Sequence, residues 1–204
     1  PKRVEACINE IGIGFIFAPV FHKAMRFAAP IRQEIGIRTI FNILGPLTNP
    51  ARASFQVLGV YKPELTEIMA KTLGNLGVKQ ALVVHSLDGL DEISLAAKTK
   101  VSHLKAGKVR TYFIEPENFG LKRRNKKTLI GGSAEENAEI ALRIIRDKEI
   151  GPQRDVVVLN AAAAIFVCGQ APNIKTGITL AKTAIDSGAA LKKLELLKKT
   201  SLHF

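Results

Sequence analysis

Short apolar runs alternate with segments of helical spacing along most of this chain. Residues 55–60 and 80–85 are apolar runs of strand length, and apolar side chains recur at helical spacing over residues 63–76 between them. Strand, helix and strand in this order predict a mostly parallel sheet, and the carboxyl ends of parallel strands meet at one edge. We therefore expect ligands to bind directly after these two strands.

The rest of the chain predicts a hairpin and further helices. Residues 101–104 and 109–114 predict the two strands of the hairpin, because a short turn containing Gly107 joins them. Ser133 and Glu136 form a capping-box pattern that predicts a helix start, so the fold class is α/β. The remaining expectations are a strand over 12–19, a loop over 39–50, and helices over 20–29, 30–36, 133–147, 155–167 and 174–199, the last interrupted at Ser187 and Gly188.

Composition limits the class of partner without choosing one. The chain has 204 residues, enough for one large α/β domain, and its 30 basic and 18 acidic side chains give a formal charge of +12. This excess favours anionic partners, which include nucleic acid, anionic lipid and a phosphorylated small molecule.

The location of the protein is predicted from what the sequence lacks. No apolar run reaches the length of a membrane span, and the first residues lack the pattern of a secretion signal. Cys7 and Cys168 are too few and too far apart for a disulfide framework or a metal motif. We therefore expect a soluble, cytoplasmic protein. The chain begins at Pro1 without an initiator Met, and we expect it to be a fragment.

The most distinctive motif is an acidic turn, residues 88–92 with the sequence DGLDE, which follows the second apolar strand. Gly89 allows the backbone to reverse, and Asp91 with Glu92 supplies the hard oxygen ligands that Mg²⁺ prefers. Strings of this kind also occur as solvated turns, so the local sequence leaves both interpretations open.

Several segments together resemble one family, anthranilate phosphoribosyltransferase. The resemblance extends over nearly the whole chain, and the ordered set of motifs is specific although each motif alone is weak. The matching pieces are GIGFIFAP at 12–19 with His22 and Met25, Arg32, GIRTIFNILGPLTNP at 36–50, DGLDEIS at 88–94, Gly131 and Gly132 before Glu136, Asn137 and Ala138, Arg154 and Asp155 with LNAAA at 159–163, and AIDSG at 184–188.

The resemblance implies a reaction and a fold. Family members transfer phosphoribose from 5-phosphoribosyl 1-diphosphate (PRPP) to the amino group of anthranilate, releasing diphosphate in tryptophan biosynthesis, with Mg²⁺ on the leaving group. It also implies a central mixed sheet flanked by helices, and a homodimer when full length. We expect residues 1–204 to form one α/β domain, with residues 20–50 packing on a small helical domain. That domain and the Gly-rich diphosphate loop belong to an upstream part that this sequence does not contain.

The resemblance also implies the roles of individual residues. Asp91 and Glu92 match the metal ligands, and Arg32 matches the arginine that binds the anthranilate carboxylate, for which its planar fork is suited. Gly45 and Pro46 match the loop that lines the anthranilate channel. The remaining two candidates are His22, which aligns with a histidine near the channel, and Arg38, a weaker competitor of Arg32 because its counterpart lies beside the loop. No residue is expected to act as a general base, because a neutral aromatic amine can attack without losing a proton first.

Two alternatives stay open at this point. One is an enzyme similar to a pyrimidine nucleoside phosphorylase, with the same architecture and a different acceptor; Arg32 together with the acidic pair argues against it. The other is a non-catalytic module that binds nucleic acid through the basic loop, residues 122–127 with the sequence KRRNKK. The loop has little aromatic interleaving for base stacking, which disfavours nucleic acid.

Overall fold

The computed structural model describes residues 2–21, 41–146 and 148–202. Within these ranges it divides into two compact units, Pro1–Arg52 with Ala189–Phe204, and Ala53–Gly188. The elements in chain order are α1 (Lys2–Ile11), α2 (Ala18–Phe21), α3 (Phe41–Leu47), β1 (Phe55–Gly59), α4 (Leu65–Asn75), β2 (Gln80–Ser86), β3 (Thr99–Lys105), β4 (Lys108–Ile114), two short 3₁₀ helices (Pro116–Phe119 and Lys126–Leu129), α5 (Ala134–Ile145), α6 (Pro152–Val167), α7 (Ile174–Asp186) and α8 (Ala189–Leu202).

The unit Ala53–Gly188 contains a four-stranded sheet in the order β1-β2-β3-β4. β1 and β2 are parallel, as the strand-helix-strand pattern predicts, while β2-β3 and β3-β4 are antiparallel. The mixed sheet flanked by helices is therefore confirmed. The expectation that it is mostly parallel is wrong for the described strands, because the hairpin makes two of the three pairs antiparallel. The predicted hairpin is β3 and β4, and it closes through Ala106 and Gly107, both at positive φ.

Helices α4 and α6 cover opposite faces of this sheet. On one face, the side chain of Ser102 donates a hydrogen bond to Thr66 of α4 at 2.9 Å. On the other face, the ring of the next residue, His103, meets Phe166 of α6 edge to face, with centroids 5.6 Å apart. Because successive strand residues point to opposite faces, the strand between them is enclosed on both sides. Consistent with this, residues 81–84 of β2 are at most 1% exposed.

The helices of this unit begin where local signals predict. Ser133 accepts a hydrogen bond from the backbone N–H of Glu136, and the Glu136 carboxylate accepts one from the N–H of Ser133, so the predicted capping box forms at the start of α5. The apolar run at 155–167 is helical, within α6. The predicted break at Ser187 and Gly188 separates α7 from α8.

Two predictions for the first unit are wrong. Residues 13–17 form no strand, and Pro19 lies in the helix α2, in whose first turn a missing N–H costs nothing. The segment predicted as a loop contains α3, with Pro46 inside it. Thr48 continues the helical hydrogen bonding past Pro46, because its N–H and its hydroxyl both donate to the carbonyl oxygen of Leu44, at 3.1 and 3.0 Å.

Helices α1 and α8 pack together within the first unit. Lys193 of α8 donates to the carbonyl oxygen of Ile11 at the end of α1, at 2.5 Å, and Cys7 is buried. Of the helix predicted over 20–29, residues 20 and 21 belong to α2 and the rest lies outside the described residues, as does the whole helix predicted over 30–36. Among the helices that the structure describes, none is long and apolar enough to cross a bilayer.

Candidate functional site

The carboxyl ends of the parallel strands β1 and β2 open into a cavity of about 390 Å³. Its floor includes Gly59 at the end of β1 and Val84 of β2, and α6 closes one side with valines and Asn160. Asp91 and Glu92 supply the acidic part of the lining. The cavity therefore lies where the strand pattern predicts a ligand site, and both candidate metal ligands contribute to it.

The chain reaches this cavity through the acidic turn, which follows β2 directly. Gly89 has a φ of +90°, a conformation that glycine adopts without strain. The turn closes on itself, since the N–H of Gly89 donates to the carbonyl of Ser86, and the N–H of Ser86 donates to the carbonyl of Leu90, both at 2.9 Å. Asp91 and Glu92 thus follow a fixed reversal of the backbone.

Asp88 stabilises the turn from inside and is not one of the predicted ligands. One of its carboxylate oxygens accepts from the N–H of Leu90 at 3.2 Å, and the other accepts from the hydroxyl of Ser94 at 2.7 Å. Partial burial by itself raises the pKa of Asp88. Hydrogen bonds from Ser94, Ser86 and Leu90, together with the charge of Lys126, outweigh it and hold the pKa below its usual value. Asp88 is therefore an ionised anchor whose oxygens are already engaged.

The basic loop is also tied to the turn and to nearby carboxylates. Lys126 donates to the carbonyl oxygen of Asp88 at 2.5 Å, and the N–H of Arg124 donates to the carbonyl of Leu95 at 2.8 Å. The arginines of the loop also form ion pairs, Arg124 with Asp155 at 3.4 Å and Arg123 with Glu115 at 2.7 Å and with Glu117 at 3.0 Å. Three of the five cations of this loop therefore have protein partners.

Helix α6 also fixes the acidic turn, through hydrogen bonds between residues 67 positions apart in the sequence. The side-chain oxygen of Asn160 accepts from the N–H of Ile93 at 3.0 Å, and its nitrogen donates to the carbonyl oxygen of the same residue at 2.9 Å. Ile93 is the residue after Glu92 and is 1% exposed. The main chain beside the carboxylate pair is therefore fixed by a side chain from a different element.

Asp91 and Glu92 themselves are exposed and form no hydrogen bond or ion pair with another residue in the described part of the chain. Two unengaged carboxylates suit Mg²⁺, which is usually bound by one or two carboxylates and completed by water and substrate oxygens. Within the described ranges, no group of three or more His, Cys, Asp and Glu could hold a metal ion. The pair thus fits a shared site for Mg²⁺ and a phosphorylated ligand better than a closed metal site.

The other predicted site residues lie in the first unit or outside the described residues. Gly45 and Pro46 are half-buried in α3. His22, Arg32 and Arg38 lie outside the described residues. Their roles stay predictions, and so does the assignment of the acidic pair.

His85, at the end of β2, has a local partner. Its Nδ1–H donates to the carbonyl oxygen of Val60 at 2.8 Å, because a carbonyl can only accept. This bond joins the end of β2 to the residue just after β1. His85 therefore has a structural role at the carboxyl ends of the two strands.

Sequence reasoning assigned no role to Asn160, Gly59 or Asp88. A signal for Asn160 was present, because it is the single polar side chain in the run 156–167 of a buried helix and must find hydrogen-bond partners. Nothing local pointed to Gly59. A Cβ there would collide with the carbonyl oxygen of Asp91.

The comparison with known families decides the membership of the chain. Residues 1–191 match the model of the family described as "Glycosyl transferase family, a/b domain". The chain belongs to this glycosyl transferase family. The match covers the whole unit Ala53–Gly188, with the cavity and the acidic turn, and residues 1–52 and 189–191 of the other unit.

Curated relatives of the chain are named anthranilate phosphoribosyltransferase, the family that the sequence motifs resemble, so the resemblance is confirmed. The anthranilate phosphoribosyltransferase of Acetivibrio thermocellus is 54% identical over 195 residues, which are 96% of this chain and 56% of that protein. The enzyme of the same name from Desulfatibacillum aliphaticivorans is 56% identical over 199 residues, 98% of this chain and 59% of that protein. The chain thus spans somewhat more than half the length of these relatives.

Solved structures of family members share the fold. The crystal structure of the enzyme from Thermus thermophilus has a TM-score of 0.86 at 43% identity, covering 98% of this chain and 58% of that one. The enzyme from Saccharomyces cerevisiae has been solved in complex with PRPP and Mg, with a TM-score of 0.79 at 31% identity, covering 90% and 53%. The same yeast enzyme has been solved with 4-fluoroanthranilate, with a TM-score of 0.87 at 31% identity, covering 100% and 59%.

Proposed function

We propose that this chain supplies the α/β portion of an anthranilate phosphoribosyltransferase. The complete enzyme transfers phosphoribose from PRPP to the amino nitrogen of anthranilate and releases diphosphate, a step of tryptophan biosynthesis. The observation that carries the proposal is the pair Asp91 and Glu92, whose carboxylates bond to no other residue in the described ranges and line one cavity at the carboxyl ends of β1 and β2. The motif order and the curated relatives support the choice of acceptor.

The reaction requires control of charge more than a nucleophilic side chain. The diphosphate leaves with negative charge while the ribose carbon becomes cationic, so a fixed positive charge on the leaving group lowers the barrier. Mg²⁺ supplies that charge when it is bound. Asp91 and Glu92 are the residues of this chain that would hold it, and the yeast relative solved with PRPP and Mg supports the pairing of donor and metal.

The acidic turn contributes geometry that a solvated turn lacks. Asp88, Ser94 and Lys126 fix the backbone before and after Gly89, so the two free carboxylates are presented without rearrangement. Electrostatic stabilisation of a leaving group requires that the stabilising groups are already in position before the reaction. It favours a functional turn over a merely solvated one.

The acceptor is held by residues that only the sequence assigns. Arg32 binds the carboxylate of anthranilate through two parallel hydrogen bonds, with Arg38 as its weaker competitor. Gly45 and Pro46 line the channel, and His22 lies near it. The yeast relative in complex with 4-fluoroanthranilate supports an aromatic acid as the acceptor.

The location and assembly of the protein belong to the same proposal. The two free cysteines, one buried and one exposed, suit the reducing cytoplasm. The full-length enzyme is proposed to be a homodimer. Nucleic acid is disfavoured as a partner, since Arg123, Arg124 and Lys126 are engaged within the protein.

The test follows the fluorescence of anthranilate with PRPP and Mg²⁺. It is run on this chain and on a fused protein, in which the chain is joined to the part of the Acetivibrio relative that it does not match. Loss of fluorescence that requires protein, PRPP and Mg²⁺ together supports the proposal. A folded fused protein that consumes no anthranilate under these conditions overturns it.

A further inference from the structure

Both donors of the Asn160 carboxamide, and its oxygen, are bonded to the protein main chain. Its oxygen accepts from the N–H of Ile93, and its two N–H groups serve the carbonyl oxygens of Ile93 at 2.9 Å and Val156 at 3.0 Å. A carboxamide has two donors and one acceptor oxygen, so both donors are used. Asn160 therefore has no donor left to offer a ligand, although it lines the cavity.

The place of this contact determines what it can do. Ile93 is bonded directly to Glu92, and its side chain is buried, so its peptide group is the fixed end of the segment that carries the two carboxylates. On the other side of the pair, Asp88 holds the beginning of the turn. The segment that carries both carboxylates is therefore fixed at both ends, by contacts within the turn at one end and by a contact with α6 at the other.

Helix packing alone does not account for Asn160. The rest of the run 156–167 is apolar, and an alanine or leucine at position 160 would keep the helix without adding a polar group that needs a hydrogen-bond partner. The asparagine instead forms a bidentate bond to a segment that belongs to no helix or strand. The geometry points to a role in the turn and not in the helix.

We propose that Asn160 is a positioning residue for the metal-binding carboxylates Asp91 and Glu92. It acts through the main chain of Ile93 and sets the direction in which both carboxylates leave the turn. This inference rests on the proposed function, because it assumes that the pair holds a divalent cation. Residues that orient metal ligands in this indirect way typically change metal affinity about tenfold to a hundredfold when they are removed.

The chain offers a matched control in Asn137 of α5. The side-chain oxygen of Asn137 accepts from the N–H of Gly132 at 3.0 Å, and its nitrogen donates to the carbonyl oxygen of Gly132 at 3.0 Å. It thus makes the same bidentate bond to the main chain of a loop, but at a place that carries neither Asp91 nor Glu92. Removing Asn137 costs two exposed hydrogen bonds, and removing Asn160 costs three that are partly buried, so Asn160→Ala should lose more stability. Of the two residues, only Asn160 adjoins the acidic pair.

The experiment titrates the 204-residue chain with Mn²⁺, an oxygen-preferring substitute for Mg²⁺, and records amide signals by nuclear magnetic resonance. Paramagnetic Mn²⁺ broadens the amides nearest to its site, so the readout does not depend on activity. The variants are Asn160→Ala, which keeps helix propensity, Asn160→Leu, which keeps a similar side-chain volume without any polar group, and Asn137→Ala. The melting temperature of each is measured beside the titration.

We expect broadening in the wild-type chain to concentrate at residues 88–93. Both Asn160 variants should then need at least about tenfold more Mn²⁺ for the same loss of signal, while Asn137→Ala should need the same concentration as the wild type. If the Asn160 variants melt lower but respond to Mn²⁺ like the wild type, Asn160 is only structural and the inference is wrong. If the wild-type chain shows no localised broadening with Mn²⁺ alone, the titration is repeated with inorganic diphosphate, which supplies the phosphate oxygens of a shared site. If no localised broadening occurs then either, the metal assignment in the proposed function fails first, and the inference with it. Should Asn160→Ala not fold, Asn160→Leu carries the same comparison, because it also lacks the carboxamide and adds no charge.

Discussion

The carbonyl oxygen of Asp91 lies directly against the α-carbon of Gly59, with no room for a side chain between them. Gly59 is the last residue of β1 and pairs in register with Val84 of β2. The turn that carries the carboxylate pair therefore rests on the end of the neighbouring strand. This contact is the reason that glycine is required at position 59. The backbone conformation is not, since the φ of Gly59 does not lie in the left-handed region.

Gly59→Ala should displace the turn. The added Cβ would collide with backbone and not with the flexible end of a side chain, so Asp91 must move or β1 must shift. We expect the free energy of unfolding to fall by about 1–3 kcal/mol, as for other overpacked sites. In the Mn²⁺ titration, broadening at residues 88–93 should weaken as well. Unchanged stability measured by urea unfolding would contradict the contact.

The ionised form of Asp88 should stabilise the fold in a pH-dependent way. Its pKa is held below the usual value, so its contribution is complete above the unfolded pKa of about 3.9 and is lost as pH falls through the folded pKa. Asp88→Asn should cost about 1 kcal/mol at neutral pH, since partial exposure screens the group. Urea unfolding of both proteins from neutral to acid pH checks this. The difference must narrow below about pH 4, and a constant difference would rule out the ionised anchor.

His103 should make the fold sensitive to mild acid. Burial lowers its pKa first, and the charges of Lys105 and Arg110 lower it further. Its Nε2 accepts a hydrogen bond from the amide nitrogen of Gln80 at 3.2 Å, which requires the neutral ring. Stability from the neutral ring is present above the unfolded pKa of about 6.5 and is lost as pH falls below it.

The variant His103→Gln cannot take up this proton. It should be less stable than the wild type at about pH 8, because the ring contacts with Phe166 and Tyr112 are lost. The difference in the free energy of unfolding should shrink as pH falls below about 6.5. If it stays the same across this range, His103 does not titrate as described.

Much of the α/β unit follows from local sequence signals. The capping box of Ser133 and Glu136 and the turn at Gly107 each involve residues within a few positions, and the structure contains both. The predicted loop over 39–50 was wrong because Pro46 argued against a helix, whereas α3 continues past Pro46 and Thr48, in the following turn, donates twice to Leu44. Propensity rules do not count such local side-chain bonds.

The site was also predictable only in part, because local patterns reveal some of its residues and contacts between distant residues fix the others. Asp91 and Glu92 stood out because the strand and turn around them are local, and the cavity lies beside them. The bond from Asn160 to Ile93 joins residues 67 positions apart, and the contact of Gly59 joins two strand ends. Contacts of this kind depend on how α6 and β1 pack against the turn, which no short pattern contains.

Arg32→Ala should raise the Michaelis constant for anthranilate selectively in the fused protein. Loss of two charge-assisted hydrogen bonds corresponds to roughly a tenfold to hundredfold increase, while the constant for PRPP stays near the wild-type value. Arg38→Ala is the control with the same loss of charge. Equal effects of both variants, or an effect on PRPP alone, would remove Arg32 from the acceptor site.

The most direct measurement is the calorimetric titration of PRPP into the fused protein, with and without Mg²⁺. The double variant Asp91→Asn with Glu92→Gln is compared with Glu10→Gln with Glu139→Gln, which removes the same charge from two exposed helical positions. We predict that the wild type and the control bind PRPP in a Mg²⁺-dependent manner and that the Asp91 and Glu92 variant does not. Undiminished Mg²⁺-dependent binding by that variant would contradict the central claim that these two carboxylates hold the metal.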